Sequence, residues 1–143
     1  MNFILVAQVA STWAMIGLIW FVQVVHYPLM KNVGSRGFRD YEKSHMSRTT
    51  RLVVPLMLLE LGTNLLLFWR PGALNRNVVA IGLLLLAAIW LSTYFLQVPQ
   101  HNRLSQGFDL RAHRRLVASN WLRTFAWTAR GIWTFWLLET AVV

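Results

Sequence analysis

Four apolar blocks divide the chain, at about 3–27, 52–69, 78–98 and 119–142, with polar stretches between them. A helix needs about 20 such residues to cross the hydrocarbon core of a bilayer, so the pattern predicts four transmembrane helices. Short connections make successive helices antiparallel neighbours. The expected fold is all-α, an integral membrane up-down four-helix bundle forming one domain. Pro28 is expected to close the first helix, Arg70-Pro71-Gly72 the second and Pro99 the third. Pro55 predicts a kink near the start of the second helix, or a place in its first turn. Gly17, Gly62, Gly82 and Gly131 fall inside helices, where small residues let backbones approach. No internal repeat is visible.

Polar residues interrupt the blocks at regular spacings. Glu60 and Asn64 are i, i+4 in the second block, at about the depth of a bilayer midplane. A carboxylate there costs about 2.5–3.5 kcal/mol on insertion scales, so it should face the bundle interior. In the fourth block Asn120, Arg123, Trp127, Arg130 and Thr134 make one stripe. Arg130 lies about 16 Å along that helix, which makes it the natural partner of Glu60. Between the first two blocks, residues 35–51 are polar. They are expected either to lie at the interface or to extend the second helix inward, with Ser35 as a candidate cap.

Composition sharpens the membrane reading. Hydrophobic residues make up 56% of the 143 residues and charged residues 13%, against roughly 25% in ordinary soluble domains. The net charge of +9 comes from loops rather than a soluble basic face, so nucleic acid is not an expected partner. Eleven basic residues (Lys31, Arg36, Arg39, Lys43, Arg48, Arg51, Arg103, Arg111, Arg114, Arg115 and Arg123) fall on one side, against Arg70 and Arg76 on the other. The positive-inside rule then places both termini outside. Without cysteine, disulfides, iron–sulfur clusters and thiol chemistry are excluded. The first apolar run has no basic region before it and is expected to be a retained helix.

All four histidines, His26, His45, His101 and His113, fall near the predicted cytoplasmic side. Imidazole suits metals and proton transfer alike. Thr93, Gln97 and His101 share a helix face if the third helix passes through Pro99, and Gln23 lies one turn from His26 at the same level. His26 and His101, with His45 or His113, are the expected metal ligands. Gln23 and Gln97 are expected to hold their second ring nitrogens. Iron, copper or zinc would suit such a set, and a tetrapyrrole is a further candidate cofactor. An unbroken second helix would put His45 about 22 Å from Glu60, too far for one ion. Trp69 and Trp121 fit interfacial belts, and the other six tryptophans run along the helices.

The stretches QVPQHNRLSQG and NWLRTFAWTAR resemble the anthrone-oxygenase-like family of small four-helix membrane proteins. The family's segment after helix three corresponds to Val98, Pro99, Asn102 and Leu104, and its entry to helix four to Asn120, Arg123 and Thr124. HYPLM and VVPLMLLE look like a bacterial branch of it. The resemblance implies a multi-pass protein of the bacterial inner membrane and an oxidoreductase or oxygenase-like activity on an apolar small molecule. The expected catalytic set is Glu60, Arg130, Arg123 and Asn120, with the last two orienting a polar substrate group. The rival expectation is a non-catalytic small subunit, or a pigment- or lipid-binding component, within a homo-oligomer or larger membrane complex.

Overall fold

The computed structural model describes residues 3–70 and 74–142, nearly all of them in four long helices. Helix α1 runs Phe3–Met30, α2 Phe38–Trp69, α3 Arg76–Leu104 and α4 Leu110–Val142. Successive helices run antiparallel. α1 packs on α2 and α4, while α3 packs on α4 and more loosely on α2. The chain is all-helical among the described residues. Three helices, α1 to α3, are long and apolar enough to cross a membrane.

Helix α4 was expected as a fourth span, yet its composition falls short of the other three. Its polar stripe explains the shortfall: Asn120, Arg123, Thr124, Arg130 and Thr134 are all buried. Ile132, Phe135 and Trp136 point outward instead. An average along the helix conceals an apolar outer face and a polar inner one.

The helices also outrun the apolar blocks. Pro28 and Pro99 do not end α1 and α3. Each follows a wide π-turn, Val22–His26 and Thr93–Gln97, in which Tyr27 N–H reaches Val22 O and Val98 N–H reaches Thr93 O. Proline lacks an N–H and crowds the carbonyl four residues back, and one extra residue in the turn gives that crowding room. Pro55 sits on the exposed face well inside α2, not in its first turn. Residues from 38 onward continue α2 beyond its apolar block, the helical one of the two expectations, with Gly37 rather than Ser35 at the cap. Asp109 caps α4 by accepting from the backbone N–H groups of Arg111 and Ala112. Those N–H groups, Ala112's foremost, hold its carboxyl below the usual carboxylate range. The extended ends share a core of Tyr27, Met30, Phe38, Leu104 and Leu116.

The two halves therefore follow one plan: a helix with a π-turn and proline, a positive-φ glycine (Gly34 or Gly107), then a helix of 32 or 33 residues. Of the four glycines expected at helix contacts, two meet a neighbour. A Cβ on Gly82 would lie 2.3 Å from the Trp133 ring, and one on Gly131 would lie 2.5 Å from Ile16 Cδ1. Gly17 and Gly62 face open space.

All four helices meet at Glu60, which is fully buried. Its Oε1 accepts from Thr12 Oγ1 at 2.8 Å and Arg130 Nε at 3.3 Å, and its Oε2 from Trp127 Nε1 at 3.0 Å. Arg130 Nη1 donates to the Gly82 carbonyl of α3, and the guanidinium lies 5.1 Å from the Trp133 ring centroid. Gln8 joins Thr12 at 3.0 Å and Thr63 at 2.7 Å. Removing one member of a buried pair strands the other charge, at a cost of about 3–5 kcal/mol. Glu60→Gln and Arg130→Met alone should each lower the melting temperature in detergent more than the double substitution does. Equal or larger loss in the double variant would contradict the pairing as the organising contact.

Candidate functional site

At the level of the two π-turns the interior opens into a cavity of about 300 Å³. That is at the lower end of small-molecule pockets, which run about 300–1,000 Å³. Its walls are apolar, including Met15, Ile19 and Val22 of α1 and Val53 and Met57 of α2. Thr50, Val54 and Val98 line it and are exposed, so it opens sideways between α2 and α3, the loosest seam of the bundle. Polar groups gather toward its basic end: Tyr27, His45, Gln97, His101 and Arg123. Thr93, Gln97 and His101 all line it, as one helix face running through Pro99 requires.

Two of these groups, Tyr27 and His101, form a chain with Glu42, which lies behind the cavity wall. His101 Nδ1 lies 2.6 Å from Glu42 Oε1, and His101 Nε2 lies 3.0 Å from the Tyr27 hydroxyl. A carboxylate only accepts, which assigns the proton to Nδ1 and leaves Nε2 to accept from Tyr27 O–H. Tyr27 is 3% exposed and Glu42 fully buried, with Glu42 Oε2 unpaired. Glu42 lies eighteen residues before Glu60 in one unbroken helix. That is five full turns, so both carboxylates face the interior, about 27 Å apart along the axis.

Arg123 supplies the charge at this site. It is 7% exposed and has no ion-pair partner among the described residues, unlike Arg130. Its Nη1 donates to Asn120 Oδ1 at 3.1 Å, its guanidinium lies 5.2 Å from the Trp127 ring centroid, and its Nε has no partner. Two other cavity-lining residues carry unpaired buried atoms, Trp90 Nε1 and Gln97 Oε1. Each such group costs about 1–3 kcal/mol when left unmet, and a charged one more. Three residues that line the cavity thus each keep one buried polar atom without a partner, two N–H groups and one carbonyl oxygen.

The expected supports of the histidines turn out otherwise. Gln23 Oε1 accepts from Asn120 Nδ2 at 2.8 Å, and Gln23 Nε2 donates to Val117 O at 3.2 Å. Gln97 Nε2 donates to Ser119 Oγ at 2.8 Å. Both glutamines clasp α4 rather than imidazoles, and Asn120 is a fully buried hub that positions Arg123. Glu60 and Arg130 stand deeper than the cavity, tied to it by Trp127, which bonds Glu60 and backs Arg123.

His26, His45 and His101 do come together. His26 and His45 stack with ring centroids 4.4 Å apart, and His45 and His101 are 5.6 Å apart. His113 does not join them, because its Nε2–H donates to the Tyr27 carbonyl at 2.7 Å and caps the end of α1. Among the described residues no three His, Cys, Asp or Glu side chains are placed to hold a metal ion. Both nitrogens of His101 are engaged, His45 Nδ1 meets Thr49 Oγ1 at 3.2 Å, and His26 Nε2 meets Tyr41 O–H at 3.4 Å. Stacked rings present faces, not lone pairs, to one another, so the three imidazoles do not converge on one ion. Proton transfer is a chemistry these groups can supply.

Tyr27, Tyr41, Glu42 and Trp90 are the members that sequence reasoning missed. One signal was available: Glu42 shares the phase of Glu60 over five turns, with His45 one turn on. No family model matches the chain, and no curated protein or solved structure matches it.

Proposed function

We propose that the chain is an integral membrane protein of the bacterial inner membrane, both termini outside, that binds an apolar small molecule and catalyses acid–base chemistry on it as part of an oxidation. One observation carries this reading: the hydrogen-bonded chain Tyr27–His101–Glu42 reaches a largely apolar cavity beside Arg123, which has no carboxylate partner among the described residues. The sideways mouth lets such a molecule enter from lipid. Arg123 and Trp90 hold an oxygen of the molecule, and Tyr27 takes its acidic proton while passing its own to His101 Nε2. Glu42 stabilises the imidazolium so formed, as a buried carboxylate does in other relays. The substrate anion, electron-rich and shielded from water, is then open to dioxygen, with CH2 and O2 becoming C=O and H2O. This agrees with the resemblance to anthrone-oxygenase-like proteins.

β-Tetralone, an apolar ketone with acidic α-hydrogens, is a suitable probe. Purified protein should bind it with quenching of tryptophan fluorescence and exchange its α-hydrogens in D2O. Arg123→Gln should weaken binding about 10–100-fold, the worth of a hydrogen bond to a charged group. Tyr27→Phe should keep binding and slow exchange by about 10²–10⁴-fold. Exchange as fast in Tyr27→Phe as in the wild type would contradict the assignment. Exchange without oxygen uptake would leave the acid–base site and remove the oxygenase part.

Orientation has its own test. Single cysteines at Asn77→Cys and Gln106→Cys should differ in intact cells, with an impermeant maleimide labelling only the first. The opposite pattern would invert the topology.

A further inference from the structure

In the oxidation the abstracted proton returns from His101 to the hydroxide that leaves with C=O, so a turnover is proton-neutral. Exchange of that proton with water, which substrate deuteration needs, still requires a path to solvent, since Tyr27 is 3% exposed, Glu42 is fully buried and the His101 side chain is 13% exposed. We infer that His45, backed by His26, is the proton port that joins this cavity to the aqueous phase at the basic end of the bundle. The inference rests on the acid–base reading of the cavity.

Two facts of placement support it. A separate surface groove beside α2 is lined by His26, Tyr41, Ser44, His45, Arg48 and Thr49. His45 and Thr49 line both that groove and the inner cavity, so they form the wall between the two. Of this pair only the imidazole can take up a proton on one ring nitrogen while releasing one from the other.

The three imidazoles stand in series. His101 is on the cavity side, His45 is 5.6 Å from it in the wall, and His26 is 4.4 Å further out, half-buried at the groove. Such separations are bridged by a ring rotation or a single water. Glu42 of α2, His101 of α3 and Tyr27 of α1 face His45 from within, while His26 of α1 and Tyr41 and Arg48 of α2 flank it at the groove. The arginine at the groove favours release of a proton to water. The transfer moves one proton from imidazolium His101 to His45, then to His26 or groove water, and its reversal brings a solvent proton back to His101, so the site exchanges protons with water without net loss. No other bond changes.

The test is chemical rescue of β-tetralone exchange. Wild-type exchange should be fast and insensitive to buffer concentration. His45→Ala should bind the probe normally but exchange about tenfold or more slowly in dilute buffer, in line with the lower range for loss of a proton-transfer group. Added imidazole, which fits the vacated wall, should restore the rate with saturation. His45→Gln, which keeps the wall filled and guards against a folding defect, should be equally slow and unresponsive to imidazole. Exchange at the wild-type rate in either variant overturns the port, as does a slow His45→Ala that ignores imidazole. Wild-type protein that neither binds nor exchanges the probe overturns the acid–base reading and the port together.

Discussion

The structure depends on one contact, the buried pair of Glu60 and Arg130. A charge in an apolar interior persists only when its hydrogen bonds and its opposite charge are supplied. Here α1 supplies Thr12, α2 the carboxylate, α3 the Gly82 carbonyl, and α4 Trp127 and the guanidinium. Sliding any helix by one residue would break at least one of these bonds. Apolar packing is non-directional and cannot set such a register alone. Trp133 adds a steric lock by filling the space over Gly82 while donating to the Val78 carbonyl at 2.7 Å.

The same residue types recur with the opposite outcome, the glutamate five turns away and the arginine about two. Glu60 is fully engaged by donors. Glu42 faces a histidine, keeps one oxygen unpaired, and passes its influence through His101 to a tyrosine at a cavity. Arg130 has a carboxylate and Arg123 has none among the described residues. One layer spends its charges on holding four helices together. The other leaves Arg123 without a carboxylate beside the cavity, and Trp127 touches both layers, bonding Glu60 and lying against Arg123.

Much of the fold was legible because long apolar blocks and depth along a helix are simple to count. The pairing of Glu60 with Arg130 followed from matching depths, and the inward turn of the α4 stripe from its helical spacing. The site was less legible for local reasons. Pro28 and Pro99 signal helix ends, but the wide turns before them absorb the strain, so Tyr27 and His101 lie within continuous helices. The many charges of residues 35–51 suggest a solvated face, which hides Glu42 on the opposite, buried one. Gln23 and Gln97 sit one turn from His26 and His101, yet sequence spacing cannot show that α4 offers them closer partners.

The central claim is that an apolar molecule with an acidic group occupies the cavity between α2 and α3. Photolabelling tests it most directly, with a diazirine-bearing alkyl phenol irradiated in the presence of the protein in lipid nanodiscs. Peptide mapping should place the adducts on cavity residues such as Val53, Met57 and Trp90, with β-tetralone competing and Arg123→Gln reducing the yield. Adducts confined to the outer aromatic surface of Trp20, Trp121 and Phe125, unaffected by either, would contradict it.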